Sequence, residues 1–277
     1  MYQLPDVNFF INHVNNFYKN HGRIFPWRHV TDPYLVLVSE VMLQQTQTGR
    51  VVDKYNQFIS EIPGFPQLAT CPEQKLFMLW QGLGYNRRAL YLKYIAQWVV
   101  EKHGGQLPND PDVLRSQKGL GHATANSICT FAFNRSAVFI ETNIRAVFLH
   151  HFFAYEVDVP DNQLMPLIKM SVEYTDNPRD WYYALMDYGV FLKKEHVNPS
   201  RASKHYQKQS TFKGSTRQVR GEIVRILITL HHVYKNELVT MVEQKFLDKN
   251  KDMITDIIET MYKEKLIKIS LSNVVSF

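Results

Sequence analysis

The chain has 277 residues, a length that favours two compact units over one or three. Apolar residues make up 45% and charged residues 21%, which supplies packed cores and excludes a largely unstructured chain, while the net charge of +6 suits an acidic partner without demanding one. The two cysteines, Cys71 and Cys129, exclude a disulfide framework and are too few for a protein-ligated iron-sulfur cluster, which takes four ligands.

In chain order, the first residues (MYQLPDVNFF) lack the basic segment and apolar stretch of a secretory leader. No run of about 18 apolar residues follows, so a cytoplasmic protein without a membrane span is expected, nucleoid-associated in a bacterium. From Asp6 to about Lys193 apolar residues recur three and four apart, the period of an all-α segment. Asp6 is placed to cap a first helix bearing Phe9, Phe10, Ile11, Val14 and Phe17, which stops at His21 and Gly22. Asp32 and Pro33 begin a second helix carrying SEVMLQQTQ, because aspartate accepts from the first free amides and proline has none to leave unpaired. Further helices are predicted over 49–60, 73–81, 86–103, 110–116, 122–133, 142–152, 161–174 and 179–192.

Residues 193–220 hold eight positive side chains against Glu195 alone, a larger net charge than the whole chain carries. This block reads equally as a solvated linker or as a segment that tracks phosphates. Beyond it come an amphipathic helix from Gln218 (Val219, Ile223, Val224, Ile226, Leu227, Leu230), helices near 235–246 and 250–264, and the alternating tail LIKISLSNVVSF. That order is winged-helix-like, although no glycine marks the turn of the wing. The expected organisation is 1–192, a basic linker or loop over 193–217, and a small α/β module over 218–277. His231 and His232 are adjacent in the helical text and lack a third ligand at useful spacing, so no metal site is expected.

Three segments carry chemistry. In KGLGHATANSI (118–128) two glycines allow a tight turn, and the amides of the helix that follows can hold a phosphate; a plain helix–helix turn reads the same way. Glu40 lies among Val36, Val38, Val41, Met42 and Leu43, where burial would keep a carboxyl protonated for general-acid work, whereas a lone helical glutamate more often faces water. In FIETNIRAV (139–147) Glu141 and Asn143 open a helix, and Glu141 either caps it or stabilises a developing cation opposite the acid.

FPWR (25–28), PYLVLVSEVMLQQTQ (33–47), GLGYNRRALYL (82–92), HGGQLP (103–108), GLGHATANSI (119–128) and ALMDYG (184–189) occur together in the order and spacing of the helix-hairpin-helix (HhH-GPD) DNA glycosylases. From about residue 8 to 192 the chain resembles the MutY-type adenine DNA glycosylases. The resemblance implies an all-α, two-lobed glycosylase fold that flips a nucleotide into a pocket between the helical halves, ahead of the small C-terminal winged-helix-like α/β module. It makes Glu40 the general acid and sets Gln44 and Tyr85 against the base stack, with Gln45, Thr46 and Arg87 beside them on DNA. Gly119, Leu120, Gly121, His122 and Thr124 would clamp the DNA backbone, with a monovalent cation on backbone carbonyls as a further possibility. Trp27, Arg28, Tyr183 and Asp187 would line the base pocket, and Lys193 and Lys194 would reach phosphates.

Departures from the family pattern matter as much. The position of the lyase lysine is Ala123, so no Schiff-base step is expected. The catalytic aspartate is replaced by Glu141 while Asn143 is kept, and an extra methylene is enough to misplace a carboxylate by about 1 Å. The cluster cysteines fall at Lys193, Ser200, Ser203 and Gln209, so no iron-sulfur cluster is expected. The adenine-edge reader becomes Tyr183, suited to stacking, and the Nudix-like domain gives way to the winged-helix-like module. The expected function is a monomeric, monofunctional DNA glycosylase on double-stranded DNA holding a damaged, mismatched or modified base. Adenine is the default base, thymine, uracil or a modified base the alternative, and a catalytically weak DNA-binding protein the reading from another class.

Overall fold

The computed structural model describes residues 7–208 and 211–277. Asp6 and Gln209, the expected first cap and the last cluster position, lie outside them. Fourteen α-helices run among the described residues: α1 Val7–His21, α2 Pro33–Leu43, α3 Thr48–Glu61, α4 Phe65–Thr70, α5 Glu73–Trp80, α6 Arg87–His103, α7 Pro111–Arg115, α8 His122–Phe133, α9 Thr142–Phe152, α10 Asp161–Glu173, α11 Pro178–Glu195, α12 Thr216–Leu230, α13 Lys235–Lys245 and α14 Lys251–Lys263. Three short strands, β1 His232–Tyr234, β2 Lys268–Ile269 and β3 Val274–Ser276, complete the regular structure with a 3₁₀ turn at Pro199–Ala202.

The chain divides into two compact units, one holding the chain up to Glu40 with Leu107–Lys208, the other Val41–Gln106 with the C-terminal residues to Phe277. These units cut across the expected boundaries at 192 and 217, since residues 41–106 group with the C-terminal module.

In the first unit α11 is the central helix, packed by α1, α8 and α9. Phe10, Val14, Phe131, Phe139, Phe148, Trp181, Tyr182 and Leu185 form its dry interior. Buried polar ends are satisfied: Trp181 Nε1 donates to Ser171 Oγ at 3.1 Å, and the Tyr182 hydroxyl donates to the Ala137 carbonyl at 2.8 Å. Asp32 starts α2 as its residue type predicts, accepting from the amides of Tyr34 at 2.9 Å and Leu35 at 3.1 Å. Gly189 in α11 admits the start of α9, because a Cβ there would sit 2.2 Å from the Asn143 carbonyl oxygen.

In the second unit α4 packs on α6, and α5 packs on α3, α6 and α12. The six-residue α4 escapes periodicity, having too few turns to show one. The C-terminal module runs α12, β1, α13, α14, β2, β3, with an antiparallel sheet in the order β1-β3-β2 in which Val275 faces both Val233 and Ile269. This is the winged-helix order, with β1 added to the expected elements. Asn273 supplies the left-handed turn of the wing at φ 58°, a role that a search for glycine overlooks. His231 and His232 are not helical as expected: His231 ends α12 at φ 65° and His232 starts β1. Gln74 of α5 donates to the Ile228 carbonyl at 3.3 Å and meets His231 Nδ1 at 2.6 Å, and the Phe77 and Phe277 rings pack with centroids 4.6 Å apart.

Candidate active site

Glu40 stands on the most apolar helix of its unit. Val36, Leu37, Val38 and Ser39 are buried around it, while Glu40 itself keeps part of its surface open. Burial is the largest influence on its carboxyl and, with the charge of nearby Glu141, pushes its pKa up to about 8; a donated Ser127 hydrogen bond and the Arg28 guanidinium pull the other way.

Ser127 of α8 orients the carboxyl. Its Oγ lies 2.5 Å from Glu40 Oε2 and 3.0 Å from the Thr124 carbonyl oxygen. The hydroxyl donates to Glu40, with the Thr124 carbonyl as a second acceptor in reach; this bond by itself favours the ionised carboxylate, and burial outweighs it. Ser127 lies inside GLGHATANSI, yet the sequence reading assigned it nothing; its spacing of three from Thr124 on one helical face was the available signal.

Glu141 precedes the first turn of α9, and its side chain makes no capping bond. Burial raises its pKa as well, opposed by Arg145, which is itself held by Asp161 through two 2.7 Å hydrogen bonds. Asn143 accepts from Lys193 Nζ at 2.7 Å. Lys193 is thus half-buried support for the start of α9, not the free phosphate anchor expected from the sequence; Lys194 is exposed.

Arg28, Asp187 and Tyr183 form one assembly. Arg28 pairs with both oxygens of Asp187, at 2.9 and 2.6 Å, and Arg23 adds its amide and Nε at 2.7 Å each. These bonds outweigh burial and hold the Asp187 carboxyl below its usual range. The Arg28 guanidinium lies 4.5 Å over the Tyr183 ring, and the Phe131 ring stacks on Tyr183 at 4.4 Å and 4°. Two groups that close cannot share one face, so both faces of Tyr183 are covered. Tyr183 therefore does not stack on a ligand as its residue type suggested; burial and Glu40 keep its hydroxyl protonated. Trp27 is buried and stacks on Phe25 at 5.1 Å, supporting this group from behind.

Before α8 the chain turns at Gly119 (φ 95°) with Leu120 buried beneath it, leaving Gly119, Gly121 and His122 exposed where the first amides of α8 are free of side-chain caps. Thr124 follows on the first turn, its carbonyl engaged by Ser127.

The second unit holds the other expected residues around Arg88, which the sequence reading left out. Its buried guanidinium donates to the carbonyls of Val41, Met42 and Gln44 (2.8, 3.0 and 2.6 Å), to Thr46 Oγ1 (2.9 Å), and to the carbonyls of Leu83 and Gly84 (3.2 and 3.0 Å). One side chain thereby joins the QQTQ turn to the GLGY turn. Both turns carry a non-glycine residue in left-handed backbone, Gln45 at φ 54° and Tyr85 at φ 48°, a strained geometry that this clamp sustains. Arg87 is exposed and pairs with Glu264 at 3.2 Å.

The positions of the family's cluster cysteines do not fit an iron-sulfur group. Lys193 bonds Asn143, Ser200 Oγ donates to the Thr142 carbonyl at 3.2 Å, and Ser203 Oγ accepts from the His205 amide at 3.0 Å, so no thiolate stands there. Among the described residues no group of three His, Cys, Asp or Glu side chains is arranged for a metal, and no helix is long and apolar enough to cross a membrane.

Comparison with known proteins agrees with this architecture. Residues 38–168 match the family model of the HhH-GPD superfamily base excision DNA repair proteins. The chain is 29% identical over 187 residues to the adenine DNA glycosylase of Buchnera aphidicola subsp. Baizongia pistaciae, covering 66% of this chain and 52% of that one, so it spans about half that relative's length. It is 26% identical over 210 residues to the thymine/uracil-DNA glycosylase of Methanothermobacter thermautotrophicus, covering 73% of this chain and 95% of that one. Among solved structures it is similar to a thermostable thymine-DNA glycosylase (TM-score 0.58, 24% identity, 66% of this chain and 85% of that one) and to endonuclease III in a non-covalent DNA complex (TM-score 0.55, 15% identity, 76% and 91%). Over these residues the chain is similar to the HhH-GPD superfamily of base excision DNA repair proteins.

Proposed function

We propose that this chain is a monofunctional DNA glycosylase that hydrolyses the N-glycosidic bond of adenine in a mismatched duplex and leaves an abasic site. The observation that carries the reading is the burial of Glu40 beside Glu141, which raises its pKa to about 8 and favours a proton on it near neutral pH, with Ser127 fixing its orientation. Adenine has basic ring nitrogens, N3 and N7, that can accept a proton as it leaves, whereas thymine and uracil offer only weakly basic carbonyl oxygens, so a protonated donor suits adenine better. As the carbon–nitrogen bond breaks, its electron pair goes to the base and Glu40 supplies the proton. Glu141, ionised, faces the cationic sugar; water then adds at the anomeric carbon and loses its proton to that carboxylate. Asn143, held by Lys193, fixes the turn that carries Glu141.

Ala123 offers no amine, so a Schiff base does not form and strand cleavage waits for alkali. The hairpin at Gly119–Gly121 grips the DNA backbone, and its carbonyls are where a monovalent cation would be held. A second reading, thymine or uracil as the excised base, is supported by the 95% coverage of the thymine/uracil-DNA glycosylase relative.

The test is a panel of duplexes with A opposite G, A opposite 8-oxoguanine, T opposite G, U opposite G and 5-modified pyrimidines, read by alkaline strand cleavage, with borohydride trapping alongside. Cleavage of an A-containing duplex without a trapped adduct is the expected result. Cleavage confined to T or U selects the second reading, and a borohydride-trapped adduct overturns the monofunctional one.

A further inference from the structure

Three groups of the first unit hold the turn that opens α9 after Glu141. Gly189 of α11 lies against the Asn143 backbone, where a Cβ would come within 2.2 Å of the carbonyl oxygen. From the 3₁₀ turn, Ser200 Oγ donates to the Thr142 carbonyl at 3.2 Å. That turn is clipped to Val159, whose amide donates to the Ala202 carbonyl at 2.8 Å and whose carbonyl accepts from the Lys204 amide at 3.0 Å. Lys193 follows Gly189 by four residues, one turn along the same face of α11, and reaches the Asn143 side chain instead, with Nζ 2.7 Å from Oδ1. The backbone at the start of α9 is thus held by Gly189 and Ser200, and Lys193 acts on a side chain.

An ammonium has three donors and no acceptor, so the atom of Asn143 that faces it is the amide oxygen, and Nδ2 is turned the other way. With its oxygen held, Asn143 has its two amide protons to offer to another group. The arrangement is unfavourable for stability alone. Lys193 is half-buried, makes no ion pair among the described residues, and lies close enough to the Arg145 guanidinium for that charge to add to burial in lowering its pKa. A neutral side chain of similar length would pack there without that penalty.

We propose that Lys193 is a positioning residue of the glycosidic reaction: it fixes the Asn143 amide with its nitrogen toward the substrate, where Asn143 serves as a hydrogen-bond donor next to Glu141. Lys193 itself touches neither base nor sugar and acts only through Asn143. The competing role is a lysine that anchors a DNA phosphate, and the bond already made to Asn143, together with partial burial, speaks against it. The inference rests on the glycosylase reading, which supplies the reaction that Asn143 serves.

The experiment measures single-turnover base release by the full chain on the duplex that the panel selects, beside affinity for a duplex carrying a stable abasic analogue at several salt concentrations. Lys193→Met keeps the length of the side chain and frees the amide, so the rate should fall about tenfold or more while affinity stays within about threefold and the salt slope is unchanged. Lys193→Arg still presents only donors and should keep the rate within about threefold of wild type. Asn143→Asp keeps an acceptor for Lys193 and loses both amide protons, so its rate should fall at least as far as that of Lys193→Met. In an Asn143→Ala background Lys193→Met should change the rate by less than about twofold, because the lysine has no other route to the reaction. Should Lys193→Met fold poorly, Lys193→Arg and Asn143→Asp still decide. A weaker affinity with a shallower salt slope makes Lys193 a phosphate anchor and overturns the proposal. So does a full rate in Lys193→Met or Asn143→Asp, or a loss in Lys193→Met that persists undiminished in the Asn143→Ala background. A wild type that releases no base from any duplex overturns the glycosylase reading and the proposal with it, whereas the preceding results in an active wild type count against the proposal alone.

Discussion

The Ser127 hydroxyl sits between the Glu40 carboxyl and the Thr124 carbonyl, 2.5 Å from one and 3.0 Å from the other, and so fixes the orientation of an α2 side chain against α8. In the proposed reaction base release uses the protonated form of Glu40, so the rate should fall as pH rises through its pKa of about 8. Glu141 must be ionised, and its pKa is also raised, so the acid limb lies above the usual carboxylate range. A pH–rate profile under single-turnover conditions should be a bell displaced toward alkaline pH. Ser127→Ala should lower the rate about 10- to 100-fold by freeing the carboxyl to rotate.

The same burial has a thermodynamic consequence. A carboxyl with a folded-state pKa of about 8 and an ordinary value of 4.5 holds an extra proton in the folded state between those pH values, so stability declines as pH rises through that window. Glu40→Gln cannot ionise and escapes the decline. Its melting temperature should exceed that of the wild type at pH 9 by a few degrees, at roughly 2–4 °C per kcal/mol, and match it near pH 4.

Arg28 lowers the Glu40 pKa through its charge, and Asp187 holds Arg28 in place. Arg28→Met should therefore move the alkaline limb of the rate profile upward. Asp187→Asn leaves a buried guanidinium without its carboxylate and should cost about 3 kcal/mol of stability in denaturant titration.

Gly189 and the Asn143 carbonyl share a space that leaves no room for a methyl group. Gly189→Ala must push the start of α9 away from α11, displacing Glu141 and Asn143 together. Base release should drop about 100-fold, because a shift of order 1 Å has that effect, while binding to an abasic analogue weakens far less.

Glu141 stands where the family carries aspartate. A site adjusted to the longer side chain should lose activity in Glu141→Asp, and a rise in single-turnover rate would mark Glu141 as an impairment of a once better-placed carboxylate.

Most of the helices were legible from apolar spacing, with eight interior helices predicted within about three residues of their observed ends; Glu40, Glu141 and the hairpin were legible from motifs. What escaped depends on contacts far apart in sequence. Arg88 is one of two adjacent arginines in GLGYNRRALYL, and nothing local says that the second turns inward to collect six acceptors. Tyr183 reads as a stacking residue until Phe131 and Arg28 are found on its faces. The module boundary at 217 was drawn from charge, whereas the compact unit follows burial: Val219, Ile223 and Leu227 are buried in α12, which packs on α5. The basic block was read as one feature, yet Lys193 supports Asn143 and Arg217 bonds Tyr85.

The role of Glu40 as proton donor is tested most directly by single-turnover base release by wild type and Glu40→Gln on the duplex that the panel selects, with affinity for an abasic analogue measured in parallel. The loss should be about 10²- to 10⁴-fold, the usual contribution of a general acid, with affinity held within about threefold. Base release undiminished in Glu40→Gln, with DNA binding intact, would contradict it.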